Sequence, residues 1–236
     1  MSSALPMEVS GNSARWIGLA KTKGLDLQWL DEDKTAIYPA LQALGLPFPA
    51  VYYIAAHEVT SSTVDALFAT SDYFCRLIPR ERGERPFRVR LRSAQEFREF
   101  CGGYDLSKYI INVVQRGDIT HTGSIVARDE ASCVPGRCIV EVVEGEGPDL
   151  FHGHKTPATA ELDDLRIVRY GCKQPTDDER AIVYSALRWI GGPSHPFPGY
   201  YEFEVWSGSA IKFRNYQNQD SPYASLRDPR KSLCAQ

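Results

Sequence analysis

The chain has 236 residues, of which 43% are hydrophobic and 24% are charged, and its formal net charge at pH 7 is −3. These values are typical of a globular protein whose length suits one large domain or two tightly fused subdomains. They argue against a general nucleic-acid binder, which would carry a basic excess, and no apolar run is long enough to cross a bilayer.

The six cysteines are scattered, and none of them forms the two-residue-spaced pairs of a zinc site. Because no signal peptide is recognisable, we expect reduced, mostly buried thiols in a cytoplasmic protein. Small polar residues predict a flexible tail at 1–14. A single domain is predicted for 15–236, with approximate subdomains at 15–114 and 115–220 and a C-terminal tail at 221–236.

Periodicity and capping signals predict a chain that mixes helices with strands in a largely antiparallel arrangement. The stretch 87–92 alternates strictly, which places its apolar residues on one face and its arginines on the other. Ser93 is predicted to cap the next helix, with Glu96 in the capping-box position. In chain order, the predicted elements are a helix at 33–44, a buried strand at 51–56, a helix at 60–68, strands at 72–79 and 87–92, a helix after Ser93, strands at 109–115, 123–128 and 137–143, and a helix at 176–189.

The last part of the chain predicts a β-hairpin with polar side chains on both strands. Alternation places Glu202 and Glu204 on one face of the first strand, and Asn215 and Gln217 on one face of the returning strand. Carboxylate and amide oxygens suit Mg²⁺, which takes a few protein oxygens and completes its shell with water and phosphates. The hairpin therefore predicts a nucleotide site. Exposed carboxylates on a strand are also common without any ligand, and this alternative stays open.

Three segments in the same order resemble the ATP-grasp superfamily. The first segment is 43–54, in which Gly45 and Pro47 precede an apolar strand. The second is 111–157, which contains a Val-Val-Gln strand and a Gly-rich turn. The third is the hairpin itself. Within the superfamily, they are most similar to the nucleotide-binding domain of the phosphoenolpyruvate synthase and pyruvate phosphate dikinase family. The resemblance implies an α+β ATP-grasp fold, in which two subdomains with largely antiparallel sheets enclose a nucleotide cleft, and it implies ATP and Mg²⁺ as cofactors.

The resemblance also assigns roles to individual residues. It implies catalytic roles for Arg92 and Lys155, and metal ligation by Glu202, Glu204 and Asn215. The residues that it implies in nucleotide binding are Lys21, Arg92, Gln115, Arg116, Asp118 and His152.

Plainer interpretations remain open for several of these residues. Arg88, Arg90 and Arg92 are equally consistent with a solvated strand face, and Lys21 with an ordinary surface lysine. The alternating His152 and His154 could suggest zinc, but no third ligand is evident.

The chain departs from the dikinase pattern at three positions. Pro148 stands where the family has a Glu in its Gly-rich segment, Asn215 replaces a Gln, and Gln217 replaces a final Arg; Asp149 could take over the role of the missing Glu. We expect an ATP- and Mg-dependent enzyme that transfers phosphate to a small carboxylate or to a separate acceptor, either directly or through an acyl-phosphate intermediate, as in a ligase. The alternatives are a nucleotide-binding module without catalysis and a scaffold without ligand.

Overall fold

The computed structural model describes residues 35–81, 83–127, 137–147, 150, 154–163, 166–170, 173–192, 197, 199–208 and 210–217. These residues fall into two compact units, one formed by Phe48–Asp118 and the other by the described residues before and after this segment. In chain order, the elements are α1 (Ile37–Ala43), β1 (Val51–Ile54), a 3₁₀ turn (Ala56–Glu58), α2 (Ser62–Phe68), β2 (Asp72–Pro79), β3 (Phe87–Leu91), α3 (Ala94–Gly102), a 3₁₀ turn (Leu106–Lys108), β4 (Tyr109–Arg116), β5 (Ile119–Ala127), β6 (Arg137–Glu144), β7 (Ala158–Asp163), β8 (Arg166–Tyr170), α4 (Asp177–Trp189), β9 (Gly199–Trp206) and β10 (Ala210–Gln217).

The unit Phe48–Asp118 is a four-stranded antiparallel sheet in the order β1-β4-β2-β3. Its core packs one sheet face against α2 and α3, where the rings of Phe68 and Phe97 stack with centroids 5.1 Å apart. The predicted cap of α3 is confirmed, because Ser93 Oγ accepts a hydrogen bond from the Glu96 backbone N–H. In a capping box the Glu96 carboxylate would accept a hydrogen bond from the Ser93 backbone N–H. Here it accepts from the backbone N–H of the preceding residue, Arg92, at 2.9 Å.

Two predictions about this sheet are wrong, and both concern edge strands. β1 was predicted as buried, but Tyr52 and Tyr53 are exposed because β1 has a neighbour on one side only. The strict alternation of β3 predicts a common apolar face, yet Phe87 is 55% exposed and Leu91 is buried. A register shift in the pairing of β2 with β3 breaks the two-residue period between these positions.

The second unit is built around a six-stranded sheet in the order β10-β9-β5-β6-β7-β8, and all of its strand pairs are antiparallel. One face is apolar, with Tyr201, Phe203 and Phe213 fully buried. Gly123 lies opposite Phe203 in the register, and a Cβ there would meet Phe203 Cζ at 2.2 Å and the Glu141 carbonyl oxygen at 2.8 Å. The glycine therefore makes room for the Phe203 ring.

Gly123→Ala is expected to destabilise the protein by about 1–3 kcal/mol, because the added methyl group overlaps both a buried ring and a neighbouring backbone. The measurement is the free energy of unfolding from denaturant titration. Gly102→Ala, where a Cβ meets nothing within 4 Å, is the matched control and should leave stability unchanged or raise it. Equal effects of the two changes would contradict the packing described for Phe203.

The predicted helix at 176–189 is confirmed as α4, and it begins with a capping box in which Thr176 and Glu179 bond reciprocally through side chain and backbone. Glu179 is buried and also accepts a hydrogen bond from Lys173 Nζ at 2.9 Å. Burial alone raises the pKa of Glu179, but the hydrogen bonds from Lys173 and from the Thr176 backbone outweigh it, so that the pKa is lowered overall. The ionised carboxylate therefore stabilises the folded state.

The stability contributed by Glu179 is expected to depend on pH. Because its pKa is lower in the folded state, the contribution is complete above the ordinary carboxyl pKa of 4.5 and is lost as the pH falls through the lowered value. The difference in unfolding free energy between wild type and Glu179→Gln should thus narrow below pH 4.5. Asp178→Asn, at an exposed carboxylate in the same helical turn, is the control; a difference that widens on acidification would contradict the assignment.

Taken together, the described residues form an α+β architecture with antiparallel sheets, which confirms the predicted fold class. The expectation of buried thiols is confirmed for Cys75, Cys101 and Cys138, none of which forms a disulfide. None of the described helices combines the length and the apolar character that spanning a membrane requires.

Candidate functional site

The predicted hairpin is confirmed as β9 and β10, joined at Ser207 and Gly208. Gly208 has a φ of 84°, a left-handed conformation that glycine adopts at little cost and that tight hairpin turns require. Along β9, Tyr201 and Phe203 face the apolar side of the sheet. Glu202 and Glu204 consequently face the opposite, polar side.

A β-bulge at Arg214 determines which side chains of β10 reach this polar side. Phe213 pairs with Phe203, whereas Asn215 pairs with Glu202, so that Arg214 is the extra residue between the two pairs. Without the bulge, simple alternation would place Asn215 beside Phe213 on the apolar face. The irregularity therefore brings an amide directly opposite a carboxylate.

Glu202 and Asn215 belong to a line of polar side chains that crosses five strands. In the register of the sheet, Thr159 pairs with Glu141, Glu141 with Ser124, Ser124 with Glu202, and Glu202 with Asn215. Directly paired residues of neighbouring strands point to the same face. We call these five residues the polar row. Glu141 is only 1% exposed, and Ser124 Oγ donates to its Oε2 at 3.3 Å.

A neighbouring tyrosine orients the carboxylate of Glu202. The Tyr200 hydroxyl donates to Glu202 Oε1 at 3.0 Å, and Tyr200 is itself buried. Burial and the nearby charges of Glu202 and Glu141 raise the pKa of Tyr200 well above its usual value. Tyr200 therefore stays protonated and remains a hydrogen-bond donor at neutral pH.

Three side-chain amide atoms of β10 are buried and lack hydrogen-bond partners among the described residues. Asn215 is 5% exposed and Gln217 is 7% exposed, and both side chains lie on the polar face. Neither Asn215 Oδ1 nor either amide atom of Gln217 has a partner among the described residues. Buried polar groups are normally satisfied, and leaving one unpaired costs about 1–3 kcal/mol. Unsatisfied buried atoms of this kind are candidates for contacts with an ion, ordered water or a ligand.

The second carboxylate of the hairpin is held by two donors. Trp206 Nε1 donates to Glu204 Oε2 at 3.2 Å, and Arg214 Nε lies 3.7 Å from Glu204 Oε1. Burial alone lowers the pKa of Arg214, but the charges of Glu204, Tyr38 and Glu202 outweigh it and raise the pKa. The bulge thus adds a fixed positive charge to a face that carries three glutamates.

The nucleotide contacts predicted on residues 92–118 lie in the other unit. Arg92 is exposed just after β3, and Asp118 is exposed after β4. Gln115 Nε2 donates to Ser71 Oγ at 3.1 Å, and buried Arg116 donates to the Val89 carbonyl at 2.9 Å. Both residues therefore also have a structural role within the sheet.

The solvated-face interpretation has direct support at Arg90. Its Nε lies 3.4 Å from Asp72 Oδ2, and the two side chains are 42% and 41% exposed.

Of the remaining predicted site residues, Lys155 is exposed, and its Nζ donates a hydrogen bond to the Glu144 carbonyl oxygen at 2.7 Å. Lys21 and His152 lie outside the described residues. The part of the chain that the structure describes contains no group of three or more His, Cys, Asp or Glu side chains that could share a metal ion.

Sequence reasoning missed three polar residues. Glu141 lies in β6, where the residues on either side of it are nearly all apolar. A single carboxylate within such an apolar run is the sequence signal that could have identified it. Arg214 becomes notable only through the bulge. In the other unit, Asn112 is buried in β4, and its Nδ2 has no hydrogen-bond partner among the described residues.

No protein-family model and no curated protein matches the chain. Among solved structures, the D-alanine-D-alanine ligase from Coxiella burnetii aligns at 12% identity with a TM-score of 0.41, over 78% of this chain and 47% of its own. N5-carboxyaminoimidazole synthetase from Staphylococcus aureus, complexed with ADP, aligns at 14% identity and a TM-score of 0.42, over 80% and 44%. The macrocyclase MdnC from Microcystis aeruginosa MRC, bound with the precursor peptide MdnA, aligns at 12% and 0.41, over 80% and 52%. The chain spans about half the length of these proteins, and a likeness at this level assigns no activity to it.

Proposed function

We propose that this chain is an ATP-grasp enzyme that binds Mg·ATP and activates a carboxylate by phosphoryl transfer, as an ATP-dependent ligase does. The observation that carries the proposal is the pairing of Glu202 with Asn215, whose buried Oδ1 has no hydrogen-bond partner among the described residues. The motif resemblance over residues 43–217 supports the same class and favours relatives of the phosphoenolpyruvate synthase and pyruvate phosphate dikinase family. The α+β architecture of antiparallel sheets is consistent with both.

The donor set of the polar row fits Mg²⁺, which prefers a small number of carboxylate and amide oxygens. Glu202 supplies a carboxylate that Tyr200 orients, and Asn215 supplies an oxygen that accepts no hydrogen bond from the residues that the structure describes. Glu204 already contacts Trp206 and Arg214, and it would have to lose one of these contacts to become a metal ligand. We therefore propose that its main role is to hold Arg214 in place. When bound, Mg²⁺ neutralises the phosphate oxygens of the nucleotide.

The proposed reaction forms an acyl phosphate. A carboxylate oxygen of the acceptor attacks the γ-phosphorus of ATP, the bond from this phosphorus to the oxygen bridging to the β-phosphorus breaks, and ADP leaves. A second nucleophile then displaces phosphate from the acyl carbon. The chain contributes by positioning and by charge. We assign phosphate contacts to Arg92, Arg214 and Lys155, and contacts near the adenine to Gln115, Arg116 and Asp118.

Removing the metal is expected to weaken ATP binding by at least about 100-fold, because the carboxylates of the polar face repel uncompensated phosphates. The measurement is a calorimetric titration of the full chain with ATP in the presence of Mg²⁺ or of excess EDTA. Release of ADP in the presence of a panel of small carboxylates then tests turnover. An affinity for ATP that does not respond to EDTA would contradict the assignment of Glu202 and Asn215.

A second candidate is a nucleotide-binding module that does not catalyse transfer. The contact that favours it is the hydrogen bond from Lys155 to the Glu144 carbonyl, which engages a predicted catalytic cation in a structural role. Mg²⁺-dependent ATP binding together with no release of ADP across the carboxylate panel would select this candidate. Acceptor-dependent ADP release would exclude it.

A further inference from the structure

We propose that Cys75 and Cys101 form a disulfide on exposure to peroxide, and that this bridge is a redox-sensitive lock on the unit Phe48–Asp118. The inference concerns two side chains that the proposed reaction does not use, so it holds or fails independently of that reaction. Both residues are buried free cysteines. One lies in the middle of β2, and the other lies in the last turn of α3.

The packing of the unit brings the two cysteines to the same part of its core. Cys75 follows Tyr73 by two residues on β2, so both side chains point to the sheet face that the helices cover. Cys101 lies one helical turn after Phe97 and shares its buried face of α3. The Phe68 ring connects these positions, because its centroid lies 5.0 Å from that of Tyr73 and 5.1 Å from that of Phe97.

The two thiols are in direct contact, because their side chains share a hydrogen bond. This hydrogen bond lowers the pKa of Cys101, and the same bond together with burial raises the pKa of Cys75. Cys101 is therefore the first of the two to form a thiolate, which is the form of cysteine that reacts with peroxide. Cys75 remains protonated beside it and is placed to resolve the oxidised product.

The oxidant reaches Cys101 through the end of α3. Cys101 is 1% exposed, but only Gly102 follows it in the helix. Gly102 and Gly103 are both exposed, and nothing lies within 4 Å of the place that a Cβ of Gly102 would occupy. A glycine weakens a helix, and helix ends open locally at a lower cost than the core. Opening of this turn therefore gives a small oxidant access to the thiol.

The proposed oxidation consumes one molecule of hydrogen peroxide. The Cys101 thiolate attacks one peroxide oxygen, the O–O bond breaks, and Cys101 becomes a sulfenic acid. The departing hydroxide takes up the proton that Cys101 released and becomes water. The Cys75 sulfur then attacks the sulfenic sulfur, so that the S–S bond forms, the S–O bond breaks, and the hydroxyl group leaves with the Cys75 proton as a second water. Two thiols are thus oxidised by two electrons, and the peroxide is reduced to two molecules of water.

The first test is the mass of the intact full chain after treatment with hydrogen peroxide, followed by peptide mapping without reduction. We expect a loss of about 2 Da for each bridge formed and a linked peptide pair that contains Cys75 and Cys101. A second protein keeps only this pair and has alanine in place of Cys133, Cys138, Cys172 and Cys234. It should lose the same mass. Gain of oxygen without a bridge, or a bridge from either residue to a different cysteine, overturns the inference.

The second test measures the effect of the bridge on stability. Closing a loop of about 25 residues restricts the unfolded chain, so the oxidised protein should melt about 5–10 °C above the reduced one, and dithiothreitol should reverse the shift. Cys101→Ala and Cys138→Ala each remove one buried thiol, from the pair and from the other unit respectively. Peroxide should raise the melting temperature of Cys138→Ala as in the wild type and leave that of Cys101→Ala unchanged. A rise that survives in Cys101→Ala, or a bridged wild type that melts no higher than the reduced protein, overturns the lock.

Discussion

Glu202→Gln is expected to weaken the binding of Mg·ATP by at least about 100-fold without unfolding the protein. The substitution keeps the shape and the acceptor oxygen to which Tyr200 donates, but it removes the negative charge that the metal requires. Loss of a residue that merely orients a ligand already costs 10- to 100-fold in metal affinity, and Glu202 is proposed as a ligand itself. Calorimetric titration with Mg·ATP measures the effect.

The matched control for this experiment is Glu144→Gln. Glu144 is an exposed carboxylate at the end of β6 in the same sheet, so that its replacement changes the net charge equally without touching the polar row. We expect wild-type affinity for Mg·ATP in this variant. Equal losses in Glu202→Gln and Glu144→Gln would mean that the sheet acts through its overall charge, and the assignment of Glu202 would fail.

Phe203→Ala is expected to produce the largest loss of stability, about 3–5 kcal/mol. Phe203 is fully buried at the centre of the apolar face, next to the ring of Phe213 and over the space left by Gly123. For a protein of this length, such a loss corresponds to a fall in melting temperature of roughly 10 °C. Phe197→Ala removes the same side chain at an exposed position and should change the melting temperature little.

A double-mutant cycle adds a sharper check on the same packing. Because the clash in Gly123→Ala is mainly with the Phe203 ring, the glycine substitution should cost less in the Phe203→Ala background than in the wild type. Strictly additive free energies of unfolding would be incompatible with the close approach of these two residues.

The sequence predicted the hairpin and the faces of β9 because alternation and the turn act over short distances. The pairing of Glu202 with Asn215 does not follow from alternation, because it depends on the bulge in β10. Alternation past Phe213 would have turned Asn215 toward the apolar side, and the bulge at Arg214 reverses this. A bulge depends on how two strands twist and pair, and no residue of β10 indicates it in isolation.

Long-range packing was equally hard to predict. α1 packs against β10, and the Phe213 backbone N–H donates to the Pro47 carbonyl at 2.7 Å, although these residues are far apart in the sequence. The strands β7 and β8 were not predicted, because both are short and rich in charged residues. Edge position, which exposes Tyr52 and Phe87, is likewise a property of the assembled sheet.

The polar row shows the same limit at the level of the site. Glu202 and Asn215 could be identified as candidates because they lie on adjacent strands of one hairpin, although the bulge that pairs them could not be predicted. Glu141 joins them through two further strand pairings, which depend on the register of β5 against both β6 and β9. Predicting it would have required the order of the strands and not only their positions in the chain.

The most direct measurement of the central claim is a calorimetric titration of the full chain with ATP, with and without Mg²⁺, for the wild type and Asn215→Leu. Leucine matches asparagine closely in shape but offers no oxygen, and it removes the buried unpaired Oδ1. We expect the wild type to bind Mg·ATP at a single site, and Asn215→Leu to lose this binding while unfolding at an equal or higher temperature. A wild type that binds no Mg·ATP, or an Asn215→Leu variant that binds it as tightly as the wild type, would contradict the claim.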